Sequence, residues 1–388
     1  MVERGSWGSQ IHFLVTCIGF AVGLGNLWRF PGLAYEHGGG AFLIPYVIAS
    51  ALIGFPCLYL ELCIGQFTRR GPAKCFRYFK PVLQGVGWAS AIVAYVVGIY
   101  YNMINVFSGI YLIKIISGGA YQFTNCESSM EDALCSEQSN GVLTYYRASE
   151  CHTEEYRNER LFLVANKSDL SPVSPAEEFF GLYMLEKNDG IEHFDGFNLK
   201  LLIGFFLVWA QCCLCLLRGV KWIGRISMVT ATFPFVIIGA LFVRAITLDG
   251  ADIGLDFFLL HPDMSYLLKL ETWTQAAIQI CYTLAIGFGG LLSLSSFNAP
   301  THNCFKDALI VVMFDSFMSL FGGTAVFCTM GFISKQSNQP MGDLVQSGTA
   351  LAFVAYPEAL GRMPLAALWQ FLFFLMFFLL GVSSQFGK

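Results

Sequence analysis

The chain has 388 residues, 55% of them hydrophobic and only 13% charged, and a formal net charge of −4. Soluble domains carry about 25% charged residues, so this composition excludes an ordinary soluble globule. The small net charge by itself excludes nothing.

A helix of about 20 apolar residues crosses a ~30 Å hydrocarbon core. Eight stretches qualify, near 11–34, 41–66, 86–116, 200–217, 226–247, 274–294, 308–333 and 364–386. Backbone in lipid must satisfy its own hydrogen bonds, so these runs predict helices. The alternating segments of about ten residues that build a membrane β-barrel are missing.

The first run reads Cys17-Ile18-Gly19-Phe20-Ala21-Val22-Gly23-Leu24-Gly25-Asn26-Leu27-Trp28-Arg29-Phe30-Pro31. Each of its glycines costs about 1 kcal/mol relative to alanine in a helix. Close helix packing is one explanation of Gly19, Gly23 and Gly25. Asn26 and Arg29 favour another, because an ionisable group at membrane depth costs at least ~2.5 kcal/mol and marks function. The second run holds Glu61 deep inside it, either bracing the broken first helix or sitting as a capped acid near the inner face. The following loop carries Arg69, Arg70, Lys74, Arg77 and Lys80 and no acid.

Short basic loops stay in the cytoplasm. Residues 119–198, with fifteen acidic against five basic residues, then lie outside as one large extracellular loop. This loop contains Cys126, Cys135 and Cys151, the sequon Asn166-Lys167-Ser168, where a glycan can be added, and a helical patch near 176–185. The basic loop with Arg218, Lys221 and Arg225 returns the chain to the inside. By alternation the N-terminus is cytoplasmic in a multi-pass protein, expected at the plasma membrane. Most other cysteines, such as Cys17, Cys57, Cys212, Cys213 and Cys215, fall in apolar runs as small hydrophobes.

The sixth run, Gln279-Ile280-Cys281-Tyr282-Thr283-Leu284-Ala285-Ile286-Gly287-Phe288-Gly289-Gly290, repeats the defect of the first. Two glycine-interrupted helices in corresponding halves point to a midplane site in inverted-repeat transporters. Unwound carbonyls there coordinate a cation, and half-helix N-termini present N–H groups to an anion. Segment 343–360 is too polar for a span and reads as a re-entrant or surface helix. The chain stops within its last apolar run, which reads as a shortened product.

These motifs, with Glu36-His37-Gly38-Gly39-Gly40-Ala41-Phe42-Leu43-Ile44-Pro45-Tyr46 and Tyr100-Tyr101-Asn102, resemble the neurotransmitter:sodium symporter family, in its neutral amino acid branch. The resemblance covers essentially the whole chain. It implies an all-α polytopic membrane protein of the LeuT-type inverted-repeat fold (5+5 helices), incomplete here, with about eight transmembrane helices in a single domain spanning 1–388.

The resemblance also implies a site. A first sodium ion would use the Ala21 carbonyl, Asn26, Thr283 and Asp315. A second would use the carbonyls of Gly19, Val22 and Leu380 with the hydroxyls of Ser383 and Ser384. The substrate carboxylate would meet the Leu24 and Gly25 amides and the Tyr101 hydroxyl, in a pocket that includes Ala21, Gly23, Ser384, Tyr282, Phe288 and Val97. Tyr46, Gln279, Thr283 and Ser319 would hold chloride, a dependence left open here. Arg29 would form an outer gate, Arg4 and Trp7 an inner one, and Cys126 and Cys135 stand at the family's outer-loop disulfide spacing.

Two positions refine the expectation. Monoamine members of the family carry aspartate where this chain has Gly23, so the substrate should bring its own carboxylate, and Phe20 with Tyr282 predict an apolar side-chain pocket. Asp315 stands where the family usually has asparagine. Either its charge replaces chloride, since two anions at ~4 Å repel by several kcal/mol at a protein-like dielectric, or a protonated acid stands in for asparagine.

The expected function is sodium-coupled symport of a small carboxylate-bearing solute, a neutral amino acid, by alternating access. The alternatives are a non-transporting short isoform regulating a full-length partner, and sodium/chloride-coupled transport of another zwitterion such as GABA, glycine, proline or betaine. Partners would be the amino acid, membrane lipid and, for a short isoform, another copy or a full-length paralogue; nucleic acid is not expected. No enzyme is expected, since H-E-x-x-H, G-x-S-x-G and P-loop patterns do not occur.

Overall fold

A computed structural model describes residues 5–126, 135–139, 142–147, 150–152, 173–187, 192, 196–337, 341 and 348–386. The first helix, α1 (Gln10–Ala21), starts at Ser9, whose hydroxyl accepts the His12 amide at 3.2 Å. It ends where Val22 turns extended, at φ −80° and ψ 99°. The chain re-enters through a π turn, Gly25–Arg29, into α2 (Phe30–Glu36), bent by 41° from α1.

The second span, Gly39–Thr68, contains α3 (Leu43–Ala49), a π turn (Ser50–Gly54) and α4 (Phe55–Thr68). After α5 (Pro72–Phe79) comes the long α6 (Gln84–Ile116). In the following loop the strands β1 (Cys135–Ser139), β2 (Val142–Arg147) and β3 (Glu150–His152) form an antiparallel sheet in that order, with Cys135 and Cys151 both in register with Tyr146. The patch expected near 176–185 forms α7 (Pro175–Glu178) and a π turn, Phe179–Met184.

The rest is helical: α8 (Leu199–Leu216), α9 (Val220–Thr230), α10 (Thr232–Ile246), α11 (Ala251–Leu255), α12 (Leu270–Thr283) and α13 (Gly290–Ser295). Then come α14 (Cys304–Ser337), α15 (Tyr356–Gly361) and α16 (Ala366–Gln385). A further π turn, Leu351–Ala355, leads into α15. The π turns before α2, α4 and α15 each run into a proline near the start of the next helix, Pro31, Pro56 and Pro357. A proline ring lacks the N–H and crowds the carbonyl a turn earlier, so the helix locally widens instead of breaking.

Among the described residues six helices are long and apolar enough to cross a membrane, and a seventh span appears when α1 and α2 are taken together. The run predicted over 274–294 is not one helix. It divides into α12 and α13 around residues 284–289, where Ala285, Gly287 and Gly289 have φ of 49°, 85° and 74°. Left-handed backbone ends a right-handed helix, and neither half alone spans a bilayer.

The core lies around α1, which packs on α9, α13, α14 and α16. Phe13, Cys17, Phe20 and Leu24 are buried, whereas the 18-residue window of α8 is only 11% buried and turns outward. With lipid as solvent an outward apolar face is expected. Segment 351–361 is not a surface helix, because Phe353 is wholly buried among Phe107, Tyr111, Phe180 and Phe374. The Tyr111 hydroxyl also donates to the Phe353 carbonyl at 2.6 Å.

Candidate functional site

The two helix interruptions, 22–24 and 284–289, face one another across a cavity lined by Phe20, Ala21, Gly23, Gly25, Asn26, Tyr101, Tyr282, Thr283, Ala285 and Ser384. The cavity is narrow, leaving about 10 Å³ for the centre of a water-sized sphere. Glycine is required at one point of its wall: a Cβ on Gly23 would stand 2.6 Å from the Ser384 hydroxyl and 3.0 Å from that of Tyr101. The Tyr101 hydroxyl accepts the Leu24 amide at 3.4 Å and is hydrogen-bonded to Ser384.

Beside the cavity lies a buried oxygen cluster. The Asn26 amide nitrogen donates to Asp315 Oδ1 at 2.8 Å, to the Asp315 carbonyl at 3.2 Å and to Ser319 Oγ at 2.9 Å. Asn26 Oδ1 in turn accepts the Gly23 amide at 3.0 Å. The hydroxyls of Tyr46 and Thr283 each donate to Asp315 Oδ2 at 3.2 Å, and those of Tyr46 and Ser319 meet at 2.9 Å. Asp315 is fully buried without a cationic side chain as its partner among these contacts. A buried carboxylate costs several kcal/mol unless it is compensated; these donors offset part of that cost, and a cation at its oxygens would offset more.

A second group of oxygens joins α1 to α16. The Ser383 hydroxyl reaches the Gly19 carbonyl at 3.0 Å and that of Leu380 at 2.9 Å, and the Ser384 hydroxyl reaches Gly19 at 3.3 Å. Val22 is the extended residue ending α1. Apart from the Asn26 amide nitrogen, both clusters consist of carbonyl, hydroxyl and carboxylate oxygens, the donor type that suits a hard cation and not a soft one.

Not every expected residue joins its expected group. The Gln279 carbonyl accepts the Thr283 hydroxyl at 3.1 Å, but its side chain bonds elsewhere: Nε2 donates to the Gly25 carbonyl at 3.1 Å, and Oε1 accepts from Arg29 at 2.8 Å. The strongest donor nearby, a guanidinium, captures the amide oxygen. Val97 and Phe288 are half-buried and do not line the cavity. Arg29 also lies over the Tyr282 ring, 5.0 Å from its centre, and Tyr282 is hydrogen-bonded to Tyr100 at 3.1 Å.

Glu61 braces the second interruption and not the first, accepting the Gly287 amide at 2.6 Å. Trp7 donates to the Leu294 carbonyl at 3.1 Å, tying the start of the chain to α13. Arg4 and Asn166 lie outside the described residues. Cys126 is disulfide-bonded, and the side chains of Cys135 and Cys151 are likewise outside them.

Sequence reasoning passed over Ala285. It lines the cavity and is a non-glycine residue in left-handed backbone, a conformation costing about 1–3 kcal/mol that clusters at functional sites. Its only signal was a place inside the glycine-rich stretch.

Two discontinuous helices that present oxygens and amides to one buried cavity define a secondary-transporter architecture. The chain belongs to the sodium:neurotransmitter symporter family, whose model matches residues 4–388. That makes it a multi-pass membrane protein of a family of transporters, not enzymes. It is 38% identical over 401 aligned residues to the sodium-dependent transporter snf-5 of Caenorhabditis elegans, covering 99% of this chain and 54% of that protein. It is 36% identical to the sodium- and chloride-dependent glycine transporter 1 of Xenopus laevis, covering 99% of this chain and 60% of the relative. The chain therefore spans somewhat more than half the length of these curated relatives.

Proposed function

We propose that this chain carries the ion- and substrate-binding part of a sodium-coupled symporter for a small zwitterion, a neutral amino acid. The observation that carries the proposal is the pairing of a carboxylate-free cavity wall at Gly23 with two oxygen clusters that touch the same wall. A cation in the Asn26–Thr283–Asp315 cluster would lie beside the amides of the first interruption. Substrate carboxylate and cation would then neutralise each other in a medium where separated charges are costly. Gly19, Val22, Leu380, Ser383 and Ser384 would hold a second sodium ion.

Asp315 takes the place of chloride in this reading. The hydroxyls of Tyr46 and Thr283, which would serve an anion, are already directed at its carboxylate. Likeness to a glycine transporter favours glycine, or another amino acid with a short side chain, as the zwitterion. Phe20 and Tyr282 supply an apolar boundary for that side chain.

The test is uptake by the complete protein from a panel of neutral amino acids and amines, in sodium and in choline. Sodium-dependent uptake of amino acids is expected. Preference for an amine lacking a carboxylate would refute the assignment. Plasma-membrane residence with a cytoplasmic N-terminus and a Cys126–Cys135 bridge remain part of the same proposal.

A further inference from the structure

We propose that Cys63 and Cys304 form a redox-sensitive thiol pair that closes to a disulfide and staples α4 to the start of α14. Their sulfur atoms lie 3.2 Å apart although 241 residues separate them in sequence. A disulfide bond is about 2.05 Å long, so closure needs only about 1 Å of approach, which side-chain rotation can supply. Cys63 is half-buried and within reach of a small reagent, and Cys304 is buried. Cys63 sits little more than a turn from the end of α4, and Cys304 is the first residue of α14. The pair therefore lies near one end of both helices, close to the aqueous boundary.

The surroundings give the bond a consequence. On one side of Cys63, Glu61 holds Gly287 of the second interruption at 2.6 Å. On the other, Gln66 donates to the carbonyls of Pro300 and His302 at 3.1 and 2.8 Å. Segment 61–66 of α4 thus grips the connection from the broken helix to α14. A Cys63–Cys304 bond makes that grip covalent.

The oxidant is a low-molecular-weight disulfide. The Cys63 thiolate attacks one reagent sulfur, forming a mixed disulfide and releasing one reagent thiolate. The Cys304 thiolate then attacks the Cys63 sulfur and releases the second. Two protein thiols lose two electrons, and the reagent leaves as two thiols carrying the two protons.

The test uses the full chain in membranes exposed to oxidised glutathione, blocked with N-ethylmaleimide, digested and read by mass spectrometry with and without dithiothreitol. A linked Cys63–Cys304 peptide that disappears on reduction is expected. In Cys63→Ser, Cys304 should return as the maleimide adduct, and in Cys304→Ser, Cys63 should stop at the glutathione adduct. Recovery of both cysteines as maleimide adducts from the oxidised parent, or linkage of Cys63 to another cysteine, overturns the proposal. A second measurement needs no substitution: phenylarsine oxide, which bridges neighbouring thiols, should protect both from maleimide together. Unchanged labelling of Cys63 would count against the pair.

Discussion

Asn26 donates to the Asp315 carboxylate at 2.8 Å, joining the edge of the first helix interruption to the middle of α14 across 289 residues of sequence. This contact joins Asp315 to Asn26 on one oxygen, while the hydroxyls of Tyr46 and Thr283 hold the other. If the fixed carboxylate supplies the negative charge, the complete protein should take up its substrate equally in chloride and in gluconate. Asp315→Asn should then create chloride dependence, raising the chloride-to-gluconate uptake ratio at least about fivefold, the lower end of site-to-site coupling. A strong chloride requirement in the unsubstituted protein would contradict this.

Space at Gly23 gives a second prediction. An added methyl meets the Ser384 hydroxyl at 2.6 Å, and overpacking of a fitted site costs about 1–3 kcal/mol. Gly23→Ala should raise KM for the amino acid by about tenfold, equivalent to ~1.4 kcal/mol. Because Ser384 also belongs to the proposed second sodium site, Gly23→Ala/Ser384→Gly should recover part of the loss in KM for the amino acid while raising the sodium concentration needed for uptake. Uptake kinetics of the single and double variants decide it.

Sodium should also act as a stabilising ligand in the absence of transport. A ligand at 100 times its Kd that binds only the folded state adds about 2.7 kcal/mol. The melting temperature of the detergent-purified complete protein should rise in sodium chloride over choline chloride. Ser383→Ala removes a hydroxyl that faces the Gly19 and Leu380 carbonyls, so it should shrink that rise by half or more. An undiminished rise would remove Ser383 from the ion site.

Glu61 braces the second interruption through a single hydrogen bond to the Gly287 amide. Glu61→Gln keeps an acceptor oxygen and should lower the melting temperature little. Glu61→Ala removes the acceptor of this exposed amide, at a net cost of about 0.5–1.5 kcal/mol. Equal melting temperatures for the two variants would show that the brace contributes nothing.

Much of this protein was legible in its sequence, and the reasons differ by element. Apolar length alone reveals a membrane helix, because hydrocarbon offers the backbone no partner. Gly19, Gly23 and Gly25, and Gly287, Gly289 and Gly290, marked the two interruptions: at Gly287 and Gly289 the backbone is left-handed, and at Gly23 a Cβ would collide with the Ser384 hydroxyl. The partner of Glu61 was not legible. Residues 61 and 287 meet only because α4 packs against α13, so closely that a Cβ on Gly65 would collide with Ser295 Oγ.

The same division holds for Gln279, Asp315 and the cysteines. Sequence by itself determined that this is a polytopic helical membrane protein with two broken helices and a carboxylate in place of an amide at 315. These are properties of composition and local backbone preference. Only the tertiary structure decided that Gln279 serves Arg29, that Tyr46 and Thr283 turn to Asp315, and that Cys63 touches Cys304. Each of these depends on which donor comes within about 3 Å of which acceptor, and helix packing sets that distance between residues hundreds of positions apart.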